Sequence, residues 1–138
     1  MNNIPVVTKY LLLTNVVVFL LQEVAKGAGI DLVATLGLHF FLADNFQLHQ
    51  LFTYMFLHAN LSHIFFNMFG VFIFGQVLEQ VWGPKRYLIF YIVTGLGAAL
   101  AQYLIMHFQV TDMIARYNEV LSLDLSSAEK AHYIDEKF

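Results

Sequence analysis

The chain has 138 residues, 59% of them apolar and only 12% charged, where ordinary soluble domains carry about a quarter charged residues. The net charge of −3, with no basic block, argues against nucleic acid as a partner. Cysteine is absent, which excludes a disulfide framework, a thiolate nucleophile and a cysteine-based zinc site.

The apolar residues gather in long runs, and the first extends from Val6 to Ala25, interrupted in its core only by Thr14 and Asn15. About twenty helical residues cross a hydrocarbon layer of roughly 30 Å. Pro5 stands where proline suits a helix start, and Gly27 and Gly29 stand where a helix can stop. A secretory signal peptide is the competing reading, but only Lys9 precedes the apolar core and two further spans follow.

Residues 30 to 57 do not make a clean span. Asp31, His39, Asp44, Asn45, Gln47, His49 and Gln50 interrupt them, while Phe40, Phe41, Phe46, Phe52, Tyr54 and Phe56 make them aromatic. Aromatic rings favour the boundary between headgroups and hydrocarbon, so a long structured loop on one membrane face is expected. A loop of this length in a compact domain is usually functional.

The second span is expected from Leu61 to Trp82, capped by Asn60 or Ser62 and ended by Gly83-Pro84. His63, Asn67, Gly70, Gly75, Gln76, Glu79 and Gln80 are too many polar or small positions for a lone helix in lipid. They should face protein or a water-filled cavity. The third span is expected from Tyr87 to Phe108, with Thr94, Gly95, Gly97, Ala98 and Ala101 giving a small-residue face for close helix approach. From Gln109 the apolar periodicity weakens, although Met113, Ile114, Tyr117, Val120 and Leu121 suit a short amphipathic helix. Ser126, Ser127 and Glu129 read as a loop or helix start.

This divides the chain into a membrane domain, 1–108, and an outward-facing loop or tail, 109–138. Lys85 and Arg86 lie between spans two and three, and Lys9 lies before span one. The positive-inside rule then puts the amino terminus and the 83–86 turn in the cytoplasm, with the long loop outside.

Candidate chemistry sits around the start of span two, which reads H-A-N-L-S-H-I-F-F-N from His58 to Asn67. His63 and Asn67 are four residues apart and share one helix face, with Asn67 about 6 Å deeper. His58 would fold over the mouth of that helix. An imidazole and a carboxamide in a low-dielectric pocket can donate to a developing oxyanion, as acyl transfer requires. The same residues could simply bond neighbouring helices. Metal binding by His49, His58 and His63 is a third option, although the sequence has no H-E-x-x-H. Farther along, Gly75, Glu79 and Gly83 form G-x-x-x-E-x-x-x-G. The glycines leave room beside the carboxylate, which should reach backbone donors or a polar neighbour. Glu79 is about 18 Å from Asn67 along the axis, too far to act as its catalytic partner.

The ordered pair H-x-x-x-x-H-x-x-x-N and G-x-x-x-E-x-x-x-G in one polar span resembles the rhomboid family over about residues 4 to 108. The resemblance implies an all-α membrane fold: a rhomboid-like helical bundle, present as its first three transmembrane helices with a membrane-associated loop between spans one and two. It implies a serine-type endopeptidase that cleaves transmembrane protein substrates within the bilayer by a Ser–His dyad. No cofactor or metal is implied. His63 and Asn67 match positions that line the family's oxyanion hole, His58 a neighbouring histidine, and Glu79 a structural carboxylate.

Two departures stand out. Many members have Trp-Arg before span two, where this chain has His49 and Gln50. The family's G-x-S-G is absent: the nearest string, Gly95-Leu96-Gly97-Ala98, has no serine, and the serines are Ser62, Ser122, Ser126 and Ser127. The late catalytic histidine is also missing, since His107 and His132 lack its context. The expectation is a chain cut within the outward loop after span three, inactive by itself, in a bacterial inner membrane. A natural pseudoprotease or scaffold that binds transmembrane segments without cutting them is the alternative. A transporter fragment would need a polar residue in each span facing one cavity, and span one offers only Thr14 and Asn15.

Overall fold

Both prolines of the chain sit where a helix begins, and that leaves its three apolar runs free to coil. Pro5 caps the first long helix and Pro84 starts the last; at those positions the missing N–H costs nothing. The computed structural model describes residues 4–122 and Ser126. The elements are α1 (Val6–Gly27), α2 (Leu32–Leu36), α3 (Gln50–Thr53), a 3-10 turn (Tyr54–Phe56), α4 (Leu61–Trp82) and α5 (Pro84–Ser122). No strand forms among the described residues. The fold is an all-α membrane fold, with α1, α4 and α5 each long and apolar enough to cross a bilayer.

The chain divides into two units, residues 1–100 and 101–138. In the first, α1 packs on α4. The buried face of α1 is Thr8, Leu11, Asn15, Phe19 and Gln22, spaced as a helix seam requires. The opposite faces carry exposed Leu13, Val17, Leu21, Phe65, Phe66 and Phe74, side chains suited to lipid tails.

The boundaries of α4 follow from its caps. Asn60 Oδ1 accepts from the His63 N–H at 2.9 Å and satisfies one free donor of the first turn. Gly83 ends the helix at φ +82°, a backbone conformation natural to glycine.

Between α1 and α4 the loop is built from short turns and two short helices. Asp31 caps α2 by accepting from Val33 and Ala34. Gln50, fully buried, donates to the carbonyls of Thr35 and Asn45 and accepts from the Gln47 N–H. His49 also approaches the Thr35 carbonyl, at 3.3 Å. His49 and Gln50 therefore anchor the loop through hydrogen bonds to backbone carbonyls. The loop rests on α5 through Tyr54, whose hydroxyl donates to the Gly95 carbonyl. A Cβ on Gly95 would strike the Met55 side chain.

The last helix differs from the sequence expectation. It runs without a break through Phe108 to Ser122, 39 residues in all. At about 58 Å it is nearly twice as long as a bilayer crossing needs. The fall in hydropathy after Gln109 marks a change of surroundings, not a helix end. No glycine or proline interrupts the chain after Gly97, and Arg116 pairs with Asp112 one turn away. In the second unit the described residues are this continuation, from Ala101 to Ser122, together with Ser126. The expected loop or helix start at Ser127 and Glu129 lies outside the described residues.

Candidate active site

The start of α4 and the residues just before it bring His58, His63 and Asn67 together. The Asn67 carboxamide nitrogen lies 3.3 Å from His58 Nε2 and 3.2 Å from His63 Nε2. The two imidazoles meet edge to face, 5.1 Å between ring centres. These side chains line a cavity of about 390 Å³ with Tyr54, Met68, Tyr91 and Gly95. His58 is only 2% exposed. His63 and Asn67 line the cavity but are exposed, where side chains aimed into a low-dielectric pocket had been expected.

The neighbours of each ring decide where its proton sits. His58 Nδ1 faces the Phe56 carbonyl at 3.2 Å, an acceptor, so Nδ1 carries the proton. His58 Nε2 is left as an acceptor and takes one hydrogen of the Asn67 amide. That contact also orients the amide, because a carbonyl oxygen turned toward the same lone pair would repel it. His63 Nδ1 accepts from the Ala59 N–H at 3.4 Å. The neutral His63 ring therefore carries its proton on Nε2. His63 Nε2 and the Asn67 amide nitrogen lie 3.2 Å apart, within hydrogen-bond distance; in the Nε2–H tautomer that the Ala59 contact favours, both groups can donate to one oxygen placed beside them. Such a pair suits an anionic oxygen.

Burial holds the His58 imidazole below the ordinary histidine pKa of 6.5. Its hydrogen bond to Phe56 opposes the shift and the nearby His63 adds to it. The ring stays neutral near pH 7 and keeps its accepting lone pair.

At the other end of α4, Glu79 is buried and closes the start of α1. Its carboxylate accepts from the Val7 N–H at 2.9 Å, the Thr8 N–H at 2.7 Å and the Thr8 hydroxyl at 2.8 Å. Charge and donors complement each other, since the first turn of a helix offers free N–H groups and a positive dipole end. Gly75 lies one turn earlier, where a Cβ would strike the Tyr87 hydroxyl and crowd Thr8. Gly83 supplies the helix end one turn later.

The sequence singled out Asn15 but not the two polar residues of α1 that share its face, Thr8 and Gln22. The three are seven residues apart and all buried, whereas Thr14, singled out together with Asn15, is exposed. Asn15 donates to the Leu11 carbonyl, Thr8 meets Glu79, and Gln22 meets the backbone of His58. The heptad spacing was the available signal. His49 anchors the loop at Thr35, and no group of three or more metal-ligating His, Cys, Asp or Glu side chains occurs among the described residues.

Residues 45–112 match a family model described as Rhomboid domain. The chain is 37% identical over 62 residues to RHOMBOID-like protein 6, mitochondrial, of Arabidopsis thaliana, covering 45% of this chain and 20% of that protein. It is 33% identical over 58 residues to Rhomboid protease AarA of Providencia stuartii, covering 42% and 21%. It is 30% identical over 59 residues to Inactive RHOMBOID-like protein 8 of Arabidopsis thaliana, covering 43% and 17%. The matched segments thus span about a fifth of the length of these relatives. No solved structure matches the chain.

Proposed function

Since the chain belongs to the rhomboid family, we propose that it is the amino-terminal part of a serine-type intramembrane endopeptidase acting on transmembrane protein substrates. The observation that carries this reading is the placement of His63 Nε2 and the Asn67 amide nitrogen 3.2 Å apart on the lining of one cavity, two groups able to donate to the same oxygen. When a serine oxygen attacks a peptide carbonyl, the carbonyl oxygen gains a full negative charge. Two preorganised donors hold that charge without reorganising, and removing one such donor typically costs about 10²–10³ in rate. His58 holds the Asn67 amide in its donating orientation. Glu79, Gly75 and Gly83 keep α4 seated against α1 and so fix the depth of the donors.

Collapse of the tetrahedral species would leave an acyl-serine, which water then releases. The family's nucleophile motif, G-x-S-G, does not occur in these 138 residues, and His107 and His132 lack the context of its late catalytic histidine. Donors alone give little catalysis. The 138-residue chain in proteoliposomes should therefore leave a fluorogenic transmembrane substrate uncut. The product of the complete reading frame, carrying a G-x-S-G and a late histidine, should cut it. Cleavage by the 138 residues alone would overturn this division of labour.

A second reading has its own support. One similar protein is named an inactive rhomboid-like protein, and this chain carries oxyanion-side residues without a nucleophile. A non-catalytic scaffold that binds transmembrane segments would look the same here. A reading frame that stops at Phe138 in independent clones favours the scaffold. The protein is an integral membrane protein; we further place its amino terminus and the junction of α4 and α5 at residues 83–86 in the cytoplasm of a bacterial inner membrane.

A further inference from the structure

Gln22 sits on the buried face of α1, 7% exposed, at the end of the helix nearest the loop. Its side-chain amide meets both polar atoms of one distant backbone unit. Nε2 donates to the His58 carbonyl at 2.7 Å, and Oε1 accepts from the His58 N–H at 3.3 Å. This is the pairing a neighbouring strand would offer, supplied instead by one side chain. Glutamine alone combines the reach with both a donor and an acceptor. Asparagine is one methylene shorter, glutamate lacks the donor, and methionine has the length with neither group.

The contact reaches past the loop backbone. His58 is itself buried, and its ring leads through Nε2 to the Asn67 amide at 3.3 Å, which in turn lies 3.2 Å from His63. A glutamine that only satisfied a loop would end its influence at the backbone of His58. Here the residue it clamps is the one whose lone pair orients the amide.

We propose that Gln22 is a positioning residue for the oxyanion donors, acting through His58. By fixing the His58 backbone it aims the Nε2 lone pair at Asn67, and so turns the second N–H of that amide toward the space beside His63. The role in catalysis rests on the oxyanion reading above; the positional coupling does not.

The test compares wild type with Gln22→Met, Gln22→Glu and the lipid-facing control Thr14→Val, each as the uniformly ¹⁵N-labelled 138-residue chain in lipid nanodiscs. Long-range proton–nitrogen spectra report the tautomer of His58. Wild type and Thr14→Val should show one tautomer, protonated at Nδ1. Gln22→Met should show averaged ring signals and a shifted Asn67 side-chain amide. Gln22→Glu, which keeps the acceptor for the His58 N–H, should fall between them. The Val7 and Thr8 amide signals, held by Glu79 at the far end of α1, should stay in place and certify the fold. Unchanged His58 and Asn67 signals in Gln22→Met would overturn the proposal, as would equal changes in Thr14→Val. If Gln22→Met fails to fold, Gln22→Glu decides by the same signals.

A kinetic arm uses the product of the complete reading frame. Gln22→Met should lower kcat by about 10- to 100-fold, as slight misplacement of a catalytic group does, with KM little changed. A rise in KM alone would reject the positioning role. Absence of cleavage in wild type would instead reject the protease reading and leave the spectra to judge Gln22.

Discussion

Glu79 and Thr8 meet through two hydrogen bonds to one carboxylate oxygen, from the Thr8 backbone at 2.7 Å and its hydroxyl at 2.8 Å. The pair joins the end of α4 to the start of α1, and both residues are buried. Replacing Glu79 with alanine strands two backbone donors and a hydroxyl. The expected loss is about 3 kcal/mol of stability, from the cost of unpaired buried groups. Unfolding in mixed micelles of increasing SDS fraction measures it, with the exposed Glu23→Gln as a control that should stay near wild type.

Gly75 leaves room for the Tyr87 hydroxyl, and any Cβ there collides with it. Gly75→Ala should cost about 1–3 kcal/mol, the range for overpacking a filled site. Adding Tyr87→Phe removes the colliding oxygen and should recover part of the loss. A double-mutant cycle that shows simple additivity would contradict this contact.

His58 gives the chain a pH dependence of definite sign. Its folded pKa lies below the ordinary 6.5 because burial disfavours the charged ring. Between the two values the unfolded chain holds more protons, so stability rises with pH across that window. Stability should be complete above about pH 6.5 and fall as the pH drops below it toward the folded value. SDS titrations at about pH 7.5 and about pH 5.5 should separate, and His58→Asn should narrow the gap.

Orientation can be read with single cysteines, since the chain has none of its own. Leu48→Cys, at an exposed loop position, should react with an impermeant maleimide added outside cells. Lys85→Cys should react only after the membrane is opened. The reverse pattern would invert the topology proposed above.

How much of this was legible in the sequence depends on the kind of signal. The span of α4 could be read to both ends, because Asn60 and Gly83-Pro84 are local caps that act wherever the rest of the chain lies. The adjacency of His63 and Asn67 followed from helical periodicity alone. The length of α5 could not be read from hydropathy, which reports solvent and not backbone continuity. Asn15 was visible in the sequence, but the seam it forms with Thr8 and Gln22 was hidden for another reason. Nothing in the immediate neighbours of each residue sets it apart, and only the sevenfold spacing marks the three as one face. Thr14 drew notice because it interrupts the core of the run, yet it points away from the protein. The loop anchors at His49 and Gln50 depend on turns that bring Thr35 and Asn45 back to them, a long-range arrangement that no local pattern announces.

The convergent donors can be tested at the reacting carbonyl itself. The measurement is steady-state cleavage of a fluorogenic transmembrane substrate by the product of the complete reading frame, wild type against Asn67→Ala. A fall in kcat of about 10²–10³ with KM nearly unchanged is the predicted result. An unchanged kcat, or no cleavage by the wild-type product, would contradict it.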